Sequence, residues 1–433
     1  MFSTRTKLVA LALFAACATA APATAQDSGP LLDLLVRKGI LTEQEAASVR
    51  SEMTQNPGPS GSIRIAFGRN SRGDGFLDVP VTAASDQTSR FTLGGRLQGQ
   101  YAGLSTDIDG SEDPASTSHF FLRRVYLSAK VDLSESWSLA LTYDFASDGF
   151  DEAVVRWKKY NHTIDAGLRK VNTAFEERSS SGSIKAIERS AVTRYFVEPN
   201  NGRRLGAASY RVGLFYDGES GPFFYGAAVT NPERTEDFSF AAGSGDATNN
   251  TLAYWVNAGI TGESNIGGYR FGVAAGFLSG QGGAGSDNRG QGFDLTLYSA
   301  HATFTRGRFS LLAEVLAADV ERGAALVAAD ARPIGFVIQP SWMVSDQFEL
   351  LARHAWVDSD GRGISLADGV RSAPSGGVMD KLSELYFGGN YYFLENDLKL
   401  QMGYVHGRTK DALSGESAEA TTHGLRSQVQ LQF

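Results

Sequence analysis

From residue 91 onward apolar and polar residues alternate along the chain in segments of about ten. In "WSLALTYDF", Trp137, Leu139, Leu141, Tyr143 and Phe145 share one face, and Ser138, Ala140, Thr142 and Asp144 share the other. In "LRSQVQLQF", Leu425, Val429, Leu431 and Phe433 oppose Arg426, Gln428, Gln430 and Gln432. A period of two is the period of a β-strand, whose successive side chains point to opposite faces. The pattern predicts strands near 91–104, 120–132, 137–147, 152–159, 162–171, 204–217, 222–230, 252–262, 268–279, 292–305, 307–320, 333–344, 347–358, 382–393, 397–408 and 424–433, sixteen in all. Ten residues at ~3.3 Å each, tilted by roughly 45°, rise about 23 Å, close to the apolar belt of an outer-membrane barrel.

The connections alternate as well. Those at 134–136, 160–161, 306–307 and 345–346 are short, whereas 105–119, 172–203, 231–251, 280–291, 321–332, 359–381 and 409–423 are mostly long. A soluble two-sheet sandwich would show the same alternation of faces. The even strand count, the short and long connections and the aromatics near strand ends (Trp137, Tyr392, Phe393) favour a closed barrel in a membrane. The expected fold is therefore all-β: a 16-stranded antiparallel transmembrane β-barrel over residues 91–433, with a short helical segment before it. Phe433 would close the last strand at the periplasmic rim.

Residues 1–25 read as a secretory signal peptide, with Arg5 and Lys7, an apolar run from Leu8 to Ala16, and Ala23-Thr24-Ala25 before the expected cleavage. The single cysteine, Cys17, falls inside it, so the exported chain would carry no thiol and no disulfide. Residues 26–56 form the expected periplasmic helical segment: Gly39 stops one short helix, and Thr42 with Glu45 makes a capping box for a second. Residues 57–90 read as a linker before the barrel. No apolar run after the leader reaches the ~18 residues of a membrane helix, so spanning would fall to strands in a closed sheet.

Composition adds that aromatics make up 11% of the chain, that glycines number 49, and that the net charge is −8. An acidic chain is not expected to hold nucleic acid. The charge is uneven, however: residues 119–211 hold 15 Lys+Arg against 11 Asp+Glu. A cation on the lipid face at the midplane costs ~2–4 kcal/mol, so strand parity sorts these residues. Arg124, Tyr126, Ser128 and Lys130 point inward, as do Arg156, Lys158, Asp165 and Arg169. Arg123 has lipid parity, which requires either a place at the outer rim or a local bulge. The 172–203 loop admits two readings. It either enters the lumen with Arg178, Ser180, Lys185 and Arg189, or stays outside with Glu176, Glu177 and Glu188 pairing those bases.

Other motifs carry less. "DIDGSED" and "DSDG" read as turns, "GQGGAGSDNRGQG" lacks the strand-then-helix setting of a phosphate loop, and the six histidines have no metal-ligand spacing. No metal, cofactor or catalytic triad is expected.

Four stretches, "FTLGGRLQGQY", "FFLRRVYLSAKVDLSESWSLALTYDFASDG", "AIERS…NNGRRLG" and "LYFGGNYYFLENDLKLQMGYVHGR", together resemble the phosphate-selective porin O and P family, from about residue 60 to Phe433 and most strongly over 91–230. The resemblance implies a homotrimeric outer-membrane channel whose third loop narrows a basic lumen. Carried over, its anion site would use Arg96, Arg123, Arg124, Ser180 and Arg189, with the family's loop lysine falling on Lys170 or Lys185. The expected function is passive diffusion of small anions such as phosphate. The alternatives are a general or sugar-type diffusion porin, then a plugged structural barrel; an enzyme comes last.

Overall fold

The computed structural model describes residues 66–69, 75–82, 88–110, 115–198, 204–232, 252–279, 294–324, 329–364, 379–413 and 419–433. The expected signal peptide and helical segment lie outside the described residues. The chain divides into two units, one of residues 1–66 and 79–89 and one of residues 67–78 and 90–433; the second contains the barrel. Two short strands, Ala66–Arg69 and Gly75–Thr82, fall in the stretch read as a linker.

Sixteen long strands follow: β1 (Thr88–Ile108), β2 (Ala115–Asp132), β3 (Trp137–Asp144), β4 (Gly149–Lys159), β5 (His162–Lys170), β6 (Tyr210–Ser220), β7 (Phe223–Thr230) and β8 (Ala253–Ser264), then β9 (Gly267–Leu278), β10 (Leu295–Arg306), β11 (Phe309–Val320), β12 (Ile334–Met343), β13 (Phe348–Asp358), β14 (Met379–Leu394), β15 (Leu398–Ala412) and β16 (Ala420–Gln432). Each predicted strand has its counterpart. Every neighbouring pair is antiparallel, and β16 closes on β1 from Gln432 opposite Arg96 to Ala420 opposite Ile108. Closure removes both sheet edges, so the backbone donors and acceptors of the spanning strands pair with each other and none is left to lipid.

The faces follow the sequence pattern. On β16, Leu425, Val429 and Leu431 are each about half exposed, while Gln428 and Gln430 are buried. Phe433 supplies the last rung, its backbone N–H and C=O each bonding Gly95 at 3.1 Å. A Cβ at Gly95 would lie 2.7 Å from the Phe433 ring, so only glycine admits the aromatic there. Trp137, Tyr160, Phe223, Trp342, Phe393 and Phe433 stay outside near the short-turn end, as an interfacial girdle does. Tyr392 departs from its expected girdle position: it turns inward, donating to Glu349 at 2.6 Å beside an irregularity in the β14–β15 pairing.

Three further differences are local. β1 and β2 run 21 and 18 residues, more than the belt requires, and so shorten the expected 105–119 loop. The β3–β4 connection is short although it lies at the long-loop end, because the Asp144 carboxylate accepts the N–H groups of Val125 and Ala146 and the Ser147 hydroxyl. β6 begins at Tyr210, not residue 204, since Leu205 and Ala207 instead bond the backbone of Tyr195 and Phe196 inside the bore.

Candidate functional site

The described residues of the β5–β6 loop, 171–198 and 204–209, fold into the bore, and the residues that hold them are on several sides. Its first helix, α1 (Phe175–Arg178), starts against the far wall. There the N–H groups of Phe175 and Glu176 donate to the Glu314 carboxylate of β11 at 2.6 and 2.9 Å. A carboxylate at a helix N-terminus satisfies donors that have no partner within the helix. The Phe175 ring stacks on His301 of β10 at 4.3 Å, and Ser299 donates to the Thr173 carbonyl. The second helix, α2 (Ala191–Val197), is capped by Ser190, which in turn is held by the buried Glu176 carboxylate. Val192, Tyr195, Phe196 and Val197 pack with Phe215, Trp255, Leu297, Leu316, Val337 and Val357, so inward faces of β6, β8 and β10–β13 form an apolar core with α2.

The loop then returns along a wall of amides. Gln98 donates to Gln430 at 2.6 Å, Gln100 to Gln428 at 2.7 Å, Gln428 to Gln401 at 2.6 Å, and Gln401 to Asn390 at 3.1 Å. This ladder crosses β1, β16, β15 and β14. Three of its members also reach loop carbonyls, Gln98 to Ser181 at 3.1 Å, Gln430 to Gly182 at 3.0 Å and Gln401 to Lys185 at 2.8 Å, and Gln100 reaches the Glu188 carboxylate at 3.0 Å. Lys399 adds bonds to the carbonyls of Gly182 and Ile184. A Cβ at Gly182 would lie 2.7 Å from the Arg96 guanidinium carbon, so glycine permits this close approach.

The sequence-predicted site residues divide between these surroundings. Arg96 meets the loop as the resemblance implies: its guanidinium donates to Ser181 at 2.8 Å, Ser180 at 3.2 Å and Gln432 at 3.0 Å, 5.4 Å from the Tyr126 ring centre. Arg123 is turned inward by a bulge, because Gln98 pairs with Arg124 and Gly99 with Leu122, leaving Arg123 without an opposite residue. It then pairs Glu188 at 2.6 Å. Arg124, buried, donates to Gln98 at 2.8 Å. Lys185 lies on the opposite wall, bonded to Ser310, Ser341 and Glu349. Arg189 belongs to the loop's own scaffold, bonding the carbonyls of Glu176, Glu177 and Ser179 and the Glu177 carboxylate. The loop therefore enters the lumen and the outside reading is not met: Glu177 pairs Arg189 within the loop, but Glu188 takes Arg123 of β2, Glu176 takes Arg353 of β13, and Lys185 takes Glu349 of β13.

On the β2–β9 side the loop roofs a cavity of about 850 Å³ whose lining reaches the short turn Tyr160–Asn161 and the Gly218–Glu219 end of β6. Arg96, Arg156, Lys158, Arg169, Lys170, Arg178 and Arg270 line it, against Asp151, Glu152, Asp165, Asp217 and Glu219. Asp165 takes both Arg156, at 2.7 Å, and Arg169, at 3.1 Å; Arg169 also reaches Asp217, and Arg156 reaches Glu152. Lys158 makes no ion pair or side-chain hydrogen bond among the described residues. Lys130 sits apart near the strand end, pairing Asp132 at 2.7 Å.

Sequence reasoning did not single out Glu314, Arg353, Lys399 or Arg270, each on a later strand. Arg353 is nearly fully buried and ties the Glu188 carbonyl to Glu384. The glutamine ladder did leave a signal, in "LQGQ" and "QVQLQ", where amides recur at period two on the inward face.

A search of curated proteins finds no significant match. Among solved structures, the chain is similar to an anion-selective porin from Comamonas acidovorans, at 13% identity over 78% of this chain and 99% of that one, TM-score 0.52. It is also similar to the outer-membrane channel DcaP of Acinetobacter baumannii, at 10% identity over 81% and 100%, TM-score 0.51. These likenesses bear on the fold, a porin barrel. The family model described as phosphate-selective porin O and P matches residues 91–433, the whole of the barrel. With its closed 16-stranded wall and inward loop, the chain belongs to the phosphate-selective porin O and P family of outer-membrane porins.

Proposed function

We propose that this porin passes small anions, phosphate among them, along the β2–β9 cavity and past Arg96 at the loop, and that it assembles as the homotrimer the family resemblance implies. The observation that carries the reading is the state of the cavity's charges. Asp165, Asp217 and Glu152 are already taken up by Arg156 and Arg169, while Lys158 and Arg270 face the cavity without an ion pair among the described residues. The field left over is positive despite the chain's net charge of −8.

Arg96 suits an anion in transit. Its guanidinium stays charged, and its planar fork offers oxygen ligands several moderate bonds beside the hydroxyls of Ser180 and Ser181. Binding of that kind replaces part of the hydration shell and still lets the ion leave. Reversal potentials in KCl gradients across planar bilayers test the reading. Chloride should permeate more readily than potassium, added phosphate should reduce the chloride current, and Arg96→Gln should lower both effects about three-fold or more. Equal permeability of the two ions would overturn it. The mass of the protein in detergent, corrected for bound detergent, tests the trimer.

A further inference from the structure

We propose that the β7–β10 wall of the cavity holds a second station, built on Arg270, that takes organic carboxylates bearing an apolar or aromatic tail in preference to inorganic phosphate. This deepens the anion-channel reading and rests on it.

The station begins with two glycines. Gly259 of β8 and Gly272 of β9 leave space on the inward face: a Cβ at either would come within 3 Å of the Phe224 ring. Phe224, reaching over from β7, fills that space and forms a shelf. On it lies the Arg270 guanidinium, 3.6 Å from the ring centre, a cation on an aromatic face. His301 of β10 stands opposite Gly272, its ring 6.4 Å from that of Phe224, and is covered on one face by Phe175 of the inward loop at 4.3 Å. Loop and wall thus enclose a cation among three aromatic rings.

Nothing in the described protein uses this cation up. Arg270 Nε and His301 Nε2 are buried without a hydrogen-bond partner among the described residues. The ionic groups that act on Arg270 are Arg178, of like sign, and Glu219. Both arginines in turn act on His301. The contrast with Arg156 and Arg169 on neighbouring strands, each clamped by carboxylates, is sharp.

Ligand class follows from what surrounds the guanidinium. An arginine lying flat on a ring presents its edge as a two-pronged donor, which matches a carboxylate or a phosphate equally well. Phosphate is strongly hydrated, and the walls of Phe224, Phe175 and His301 return little to it for lost water. A carboxylate with a hydrocarbon or aromatic tail gains on both counts, binding its head to Arg270 and burying its tail against the rings. Arg96, by contrast, is surrounded by serine hydroxyls and an amide, which suit an ion with hydrogen-bonding oxygens all round.

The test measures half-blocking concentrations of benzoate, acetate and inorganic phosphate on the chloride current of the full-length protein in planar bilayers. In the wild type benzoate should block at lower concentration than acetate. Arg270→Gln should raise the benzoate value about five-fold or more and leave phosphate within about two-fold. Arg270→Lys, which keeps charge but loses the fork and guards against a folding defect, should fall between. Equal shifts for benzoate and phosphate, or none for either, would overturn the station. A wild-type channel without anion preference would instead sink the reading on which it rests, and the two failures are told apart by the reversal potential alone.

Discussion

Along β13–β16 and β1 the inward side chains include amides, Lys399 and Glu349 that bond one another and the inward loop, whereas along β2–β9 they include cations and acids around a cavity. Both faces are polar, and by composition either could line a water-filled pore. The difference lies in saturation. On the amide wall Gln98, Gln428, Gln430 and Gln401 donate to each other or to loop carbonyls, so the wall is a seat for the loop. On the cavity side the acids satisfy some bases and leave others. Polar residues become scaffold where their partners are supplied by the fold, and become a site where they are not.

Three substitutions would break or sharpen this contrast. The largest effect is expected from Arg156→Gln. It leaves the buried Asp165 with Arg169 alone, which should destabilise the barrel by about 3 kcal/mol, and it tips the cavity toward negative charge. Urea unfolding in detergent micelles and a drop in chloride preference would register both; a change in neither would show that the ion pair is idle. Next is Gln430→Leu on the amide wall, which removes the acceptor of one Gln98 N–H and a donor from the Gly182 and Asn396 carbonyls and should cost ~1–3 kcal/mol. Ion preference should hold while open-channel noise rises as the loop loosens. A selectivity change as large as that of Arg156→Gln would erase the distinction between the walls. The smallest is Lys158→Gln: stability within about 0.5 kcal/mol, and chloride preference reduced less than about two-fold. That reduction should vanish in 1 M salt, where the Debye length is about 3 Å.

Much of this architecture is legible in the residues. Strand number, inward and outward faces and the final aromatic follow from period-two alternation, because a one-residue error would exchange lipid and lumen faces along a whole strand. The parity argument flagged Arg123 as needing either a place at the rim or a bulge, and the skipped pairing opposite Gln98–Gly99 is a bulge. What alternation could not give is the chemistry of the inward face. Leu297, Leu316 and Val337 point into the bore as surely as Gln428 does, and only the position of α2 against them explains why they are apolar. Residues 204–209 read as the start of a strand for the same reason: Leu205, Ala207 and Ala208 are buried, but against α2.

The chain's own pattern of side chains therefore determined that it forms a closed sheet of sixteen strands with a greasy exterior, since each strand carries that instruction locally. Which cations remain available to a solute was decided in three dimensions. Arg96 and Ser180 lie 84 positions apart, Lys185 and Glu349 lie 164 apart, and Arg270 meets Phe224 only because glycines on two strands leave room. Whether a charge is spent or free depends on partners brought from distant strands, and the order of residues along one strand does not contain them.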